Sequence, residues 1–315
     1  DALRRFGTIT DSGDSLPWLS ECRNKKSITL DLRKPDGARL LKALVERADI
    51  LIENFQPGTL EKWGLGWETL NAINPRLIMV RISGYGQTGP YRDRPGFGRI
   101  ANAFGGLSFL AGYPDRPPVT PGSATIPDYL SGAYGAMGVL LALQARHRTG
   151  RGQVIDIGLY EPVFRILDEL APAYQVRGKV RQRMGPGTVN VVPHSHNRER
   201  DREQVDRHVG EWTAAHTRDQ LLEICERFQV PCGPVYGIDE IFEDPQYAAR
   251  GNILTVQDPR LGELAIPDLV PRLSDTPGKV RSLGPRLGEH NDEILRGLLG
   301  LDEAEIERLK AGGVV

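Results

Sequence analysis

Asp128 is the residue of this chain whose setting most suggests chemistry. It falls in Pro121-Gly-Ser-Ala-Thr-Ile-Pro-Asp128-Tyr-Leu-Ser-Gly132, heading a run rich in Ala, Gly and Leu that predicts a helix to about Arg148. An aspartate there can simply cap the helix, and by position alone that is the ordinary role. The same geometry also serves a nucleophile. Backbone N–H groups and the helix dipole favour an ionised carboxylate, and such a carboxylate can attack an acyl carbon to form a covalent intermediate. Other catalytic constellations are absent: the sequence has no GxxxxGK[ST] phosphate loop, GxSxG elbow, HExxH or paired CxxC. His194 and His196 stand two apart beside a proline, with no third ligand at a recognisable spacing, so no metal is expected.

The elements that must position Asp128 read as α/β. The sequence 28–33, Ile-Thr-Leu-Asp-Leu-Arg, alternates as a strand does, and a helical spacing follows over 38–48. The apolar run at 49–54 predicts a second strand. Helices follow from Thr59 and over 68–73, then a third strand at 77–83. Alternation of this kind implies a parallel sheet with right-handed crossovers. Ligands of such sheets sit beyond the carboxyl ends of the strands, where Asn54-Phe55 and Ser83-Gly84-Tyr85-Gly86 fall. A short helical pattern near 100–110 precedes the Asp128 helix. After the turn Thr149-Gly-Arg-Gly152 come a strand at 153–157 and a helix from about Glu161. The stretch 177–204 has little periodicity and reads as a linker. The last hundred or so residues end in an amphipathic helix over 302–311.

Composition narrows the class. Hydrophobic residues at 39% and charged residues at 26% with mixed signs describe a soluble globular chain, long enough for two domains. A formal charge of -1 argues against a broad nucleic-acid or membrane footprint, and the apolar run 132–145 is too short to span a bilayer. Three cysteines (Cys22, Cys225, Cys232) without metal spacing suggest reduced thiols and a cytoplasmic setting. With no signal core and no initiator methionine, the chain reads as beginning inside a longer protein.

Taken in order, several segments resemble the class III CoA-transferase family. They are Arg23-Asn-Lys-Lys-Ser-Ile-Thr-Leu-Asp-Leu-Arg33, Glu53-Asn-Phe-Gln-Pro-Gly58, Leu65-Gly66, Ile73-Asn-Pro-Arg76 and Ser83-Gly-Tyr-Gly-Gln-Thr-Gly-Pro90. The likeness continues through Arg148-Thr-Gly-Arg-Gly-Gln-Val154, Val230-Pro-Cys-Gly-Pro-Val235, Asp244-Pro-Gln246 and Leu287-Gly-Glu-His290, covering nearly the whole chain. The resemblance implies that Asp128 is the nucleophile. Its carboxylate would attack a donor thioester to give a mixed anhydride, the released CoA thiolate would return to leave an aspartyl-CoA thioester, and an acceptor carboxylate would reverse the steps. It also implies that coenzyme A lies against Leu30, Asp31, Leu32 and Arg33, Asn54, Phe55 and Gln56, Lys62, and Phe97 and Gly98. Phe55 would stack on adenine or pantetheine, and Arg33 and Lys62 would meet phosphates. Gly105, Gly106, Gly185 and Gly187 are candidates for the backbone donors that a tetrahedral centre needs, although turn glycines are the plainer account.

The resemblance carries further expectations. The fold should be a large Rossmann-like parallel-sheet domain at 1–176, a linker at 177–188, a smaller α+β domain at 189–238, and a linker with the C-terminal return to the large domain over 239–315. Two chains should form a homodimer interlocked like linked rings. The family has a further strand–helix–strand unit before residue 1 and a few dozen residues between His196 and Asn197, so pocket residues in those stretches have no number here. A racemase branch of the family needs a histidine where this chain has Phe97, and phenylalanine cannot carry a proton. Transfer is therefore preferred to racemisation. A non-catalytic acyl-CoA-binding protein would need Asp128 lost. The Gly-Phe-Gly-Arg-Ile and Gly-Ser-Ala-Thr stretches look like members that use succinyl-CoA with malate- or citramalate-type acids. Arg99 could then hold a distal carboxylate bidentately, unless it is simply a surface charge.

Overall fold

A computed structural model of the chain describes residues 1–120, 122, 125–185, 187 and 198–315, without the side chains of 198–203, 205 and 206. The contacts divide the molecule into two units, one of Ile28–Val189 with Asn291–Val315, the other of Asp1–Ser27 with Asn190–His290. This differs from the sequence-based division, which placed 1–27 in the large domain and returned the chain to it from 239. The reason lies in long-range packing. Trp18 and Leu19 are buried with Ile266 and Leu283, and the Trp18 indole N–H donates to Pro285 O at 2.8 Å. Residues 188–197, including His194 and His196, lie outside the described residues, as does the proposed gap between His196 and Asn197.

The larger unit carries a three-stranded parallel sheet in the order β1 (Ile50–Glu53), β2 (Ile78–Ser83), β3 (Val154–Gly158). Its register pairs Glu53 with Arg81 and Arg81 with Asp156. Leu60, Leu65, Leu70, Leu77 and Met79 are almost wholly buried behind it, each worth about 1.5–3 kcal/mol of transfer free energy. No strand forms over 28–33, where alternation predicts one. Thr29 N–H donates to Asn291 Oδ1 (2.9 Å) and Asp31 N–H to Val314 O (2.8 Å). The segment thus satisfies its backbone against the C-terminal return instead of a ladder. The Pro35–Val45 helix follows at once, with proline in its first turn. Gly37 is required there, because a Cβ would lie 2.1 Å from Asp31 O. The Glu303–Ala311 helix buries Ile306 and Leu309 against Leu40, as its amphipathic pattern predicts.

The 100–110 pattern resolves into two helices, Gly98–Phe104 and Leu107–Leu110. The long helix Ile126–Thr149 then runs past the sheet and stops at Gly150, whose N–H donates to Arg146 O at φ 73°. The buried Arg146 ties that end down, donating to Arg76 O (2.9 Å) and Asp49 Oδ1 (2.8 Å). No described helix is long and apolar enough to cross a membrane. The smaller unit holds an antiparallel hairpin, β4 (Ile253–Asp258) and β5 (Gly262–Pro267), with the helices Leu16–Glu21, Arg198–Ala214 and Arg218–Arg227.

Candidate active site

Asp128 does not cap its helix. Thr125 is the N-cap and Asp128 is the third helical residue, in the first turn, where a carboxylate still meets the positive end of the dipole. Its surroundings act against ionisation. Desolvation by burial raises its pKa above the ordinary carboxylate value, opposed by a hydrogen bond from its own backbone. The helix terminus favours the ionised form, as expected, but removal of water outweighs the backbone contribution, although the side chain still opens to solvent.

Asp128 opens into a cavity of ≈ 400 Å³ with Asn54, Phe55 and Gln56 from the end of β1, Ser83 and Gly84 from the end of β2, and Arg94 and Phe97 from the loop beyond. Parallel-sheet topology places the carboxyl ends of both strands at one edge, so residues 74 positions apart in the chain share one space. Two glycines let the loops close on each other. A Cβ on Gly84 would lie 2.7 Å from Gly96 Cα, so neither position accepts a side chain without displacement. Gln56 Nε2 donates to Asp93 O (2.8 Å), and Gln87 N–H donates to both Asp156 carboxylate oxygens (3.0 Å each), which fixes the loops to β1 and β3. The buried Ser83 hydroxyl has no hydrogen-bond partner among the described residues, and the same holds for the Asn102 amide and the Ser131 hydroxyl.

A second space of ≈ 700 Å³ is lined by Leu32, Arg33, Lys34, Arg39, Lys42, Lys62 and Trp63. Pro35, Ala38, Ala43, Glu46 and Ile73 complete the lining, so five of its twelve residues are cationic and one is acidic. Arg33 and Arg39 already pair with carboxylates, and the excess of positive charge suits a polyphosphate. Trp63 meets Phe55 edge to face with ring centroids 5.3 Å apart, so one aromatic pair joins the basic groove to the Asp128 cavity. Asp31 holds the Arg33 fork through Nε (2.8 Å) and Nη2 (2.9 Å), and that pairing brings the Asp31 carboxyl down to about 2. Leu30 packs on the core of the C-terminal return. Leu30 and Asp31 therefore do not line the groove, whereas Leu32, Arg33 and Lys62 do.

The remaining candidates separate in the same way. Phe97 lines the Asp128 cavity and is 73% exposed; Gly98 begins the next helix and does not line it. Arg99, one residue on, is exposed and also lies outside the lining. Gly105 and Gly106 form the break between two short helices, with Gly106 at φ 95° and Gly105 packed on Val163. Gly185 N–H donates to Gly112 O and Gly187 N–H to Met184 O. All four are turn glycines, and none lines the Asp128 cavity.

Sequence reasoning missed Glu53, Arg81 and Arg94, whereas Ser83 falls at the strand end where a ligand was expected. The signal for the first two was a pair of opposite charges inside otherwise apolar strands. Arg94 had no local signal. Among the described residues no group of three or more His, Cys, Asp or Glu could hold a metal ion.

The Asp128 carboxyl lies in a cavity next to a groove that carries several cations, and comparison with known proteins gives the family. The sequence matches CoA-transferase family III over residues 1–196 and 191–291. It is 47% identical to the succinyl-CoA–L-malate CoA-transferase beta subunit of Chloroflexus aurantiacus, over 100% of this chain and 88% of that protein. It is 42% identical to the succinyl-CoA–D-citramalate CoA-transferase of the same organism, over 100% and 88%. Among solved structures, a CAIB/BAIF family protein from Brucella suis superposes with a TM-score of 0.82 at 31% identity, covering 95% of this chain and 89% of that one. The chain belongs to the family III CoA-transferases, enzymes that transfer coenzyme A.

Proposed function

We propose that this enzyme moves CoA from succinyl-CoA to a dicarboxylic acid of the malate or citramalate type, through a covalent intermediate on Asp128. The observation that carries the reading is the placement of Asp128 in a cavity joined by the Phe55–Trp63 pair to a groove of five cations. In the proposed reaction the Asp128 carboxylate adds to the thioester carbonyl, and the C–S bond breaks to give an acyl-aspartyl anhydride and CoA thiolate. The thiolate attacks the Asp128 carbonyl and expels succinate, leaving an aspartyl-CoA thioester. The acceptor carboxylate then attacks that thioester, and the mirror sequence delivers the new acyl-CoA and regenerates Asp128. The raised pKa of Asp128 supports this, because partial desolvation makes the carboxylate more basic and so more nucleophilic. The names of the relatives support the substrates.

Racemisation needs two proton-transfer groups. Among the described residues lining the cavity, Asp128 is the only side chain suited to that work, and the Phe97 ring occupies the wall beside it.

The proposal extends to a homodimer of interlocked chains. Met137, Leu140 and Leu141 share one face of the long helix and are 51–68% exposed, an apolar strip that a second chain would cover. The decisive test of function is mass spectrometry of protein mixed with succinyl-CoA and quenched without acceptor. An adduct of CoA mass on Asp128 is expected; labelling elsewhere or none would refute the covalent route.

A further inference from the structure

Of the described residues lining the Asp128 cavity, two carry charge: Asp128 itself and Arg94. Arg94 has no carboxylate partner among the described residues. Its guanidinium instead lies over the Tyr91 ring, 3.7 Å from the centroid. Stacking of this kind holds the cation by its face and leaves the N–H edges free to grip a planar anion. The backbone beneath it is fixed as well. Arg94 N–H donates to Tyr91 O (2.9 Å), and the preceding carbonyl, Asp93 O, accepts from Gln56 Nε2 (2.8 Å). Tyr91 is itself held in an aromatic cluster with Tyr85 and Phe104, at centroid distances of 5.8 and 6.0 Å.

We infer that Arg94 is the specificity-determining residue of this enzyme. It binds the remote carboxylate of a dicarboxylic acyl group or acid while the other end reacts at Asp128. The inference rests on the proposed function and names the side chain that selects its substrate class. It assigns to Arg94 the task that the sequence alone suggested for Arg99, a residue the fold leaves outside the cavity. An arginine at a partly exposed mouth suits a group that must enter and leave at each turnover, and a cavity of ≈ 400 Å³ has room for a four-carbon diacid beside the thioester.

The test compares succinyl-CoA with butyryl-CoA, which has the same chain length but no remote carboxylate, as donors for Asp128 labelling. Arg94→Ala should lower kcat/KM for succinyl-CoA by about thirtyfold to a hundredfold and change that for butyryl-CoA by less than about threefold. Arg94→Lys should recover part of the loss, because an ammonium lacks the two-pronged geometry. Arg99→Ala should leave the ratio of the two donors as it is. Equal losses for both donors in Arg94→Ala, with Asp128 still labelled, would overturn the assignment, as would a selectivity change that follows Arg99→Ala. Failure of the wild-type protein to label Asp128 at all would overturn the proposed function and this inference together.

Discussion

Arg81 on β2 reaches across the sheet to Glu53 on β1, with Nε 2.6 Å from Oε1, and the other oxygen of Glu53 accepts the Phe55 N–H at 2.8 Å. A buried ion pair thereby aims the Asn54-Phe55 turn at the cavity. Burial alone would lower the Arg81 guanidinium, but Glu61 and Glu53 together hold it above its ordinary value. Both partners are nearly sealed, with side chains 9% and 3% exposed. Arg81→Met should leave Glu53 charged and unpaired, destabilising the fold by about 3–5 kcal/mol. Adding Glu53→Leu should restore much of that stability while KM for acyl-CoA stays high, because the Phe55 anchor is gone. Urea unfolding and steady-state kinetics on the single and double variants would check this; a normal KM in the double variant would show that Glu53 does not set the turn.

Asp128→Ala should reduce CoA transfer to below about a hundredth of wild type, a loss of roughly 3 kcal/mol or more, with CoA affinity nearly unchanged by calorimetry. Asp128→Asn should be equally inactive yet at least as stable at neutral pH. The sign follows from the raised folded-state pKa: the folded state holds the Asp128 proton more tightly, so stability declines as pH rises from 3.8 through the raised value. Asparagine removes that decline. A clear drop in Tm for Asp128→Asn would contradict the desolvation.

The same shift fixes the acid limb of the rate profile. On the proposed route the nucleophile is the ionised Asp128 carboxylate, so kcat/KM should fall with decreasing pH, with an apparent pKa above 3.8 in the free enzyme. A limb at or below 3.8 that vanishes in no variant would assign it to another group.

The basic groove predicts a split between KM and kcat. Lys62→Ala and Arg33→Ala should each raise KM for acyl-CoA about tenfold while kcat barely moves, since the groups bind ground and transition states alike. Their effect should shrink as salt rises, because Arg33 is 74% exposed and its field is screened. Loss of kcat with unchanged KM would place the nucleotide elsewhere.

The apolar strip on the long helix predicts a dimer by light scattering at micromolar concentration, and Leu140→Glu should weaken it. A wild-type monomer would refute the interlocked arrangement.

Sequence by itself determined the parallel strands at 50–53 and 78–83, the helix that carries Asp128, and the placing of Asn54 and Ser83 at the carboxyl ends of their strands. Those features follow from apolar periodicity and from the rule that parallel strands end on one side, both of which act over short stretches of chain. Tertiary structure decided the rest. Residues 28–33 alternate like a strand, yet their backbone partners are Asn291 and Val314, about 260 residues or more away. Arg94 and Arg99 are five positions apart and alike in type. Only the loop that stacks one on Tyr91, and the helix starting at Gly98 that carries the other away, separates the cation that lines the Asp128 cavity from one that does not. Local sequence sets the shape each segment prefers, whereas which side chain enters a cavity depends on contacts closed across the whole chain.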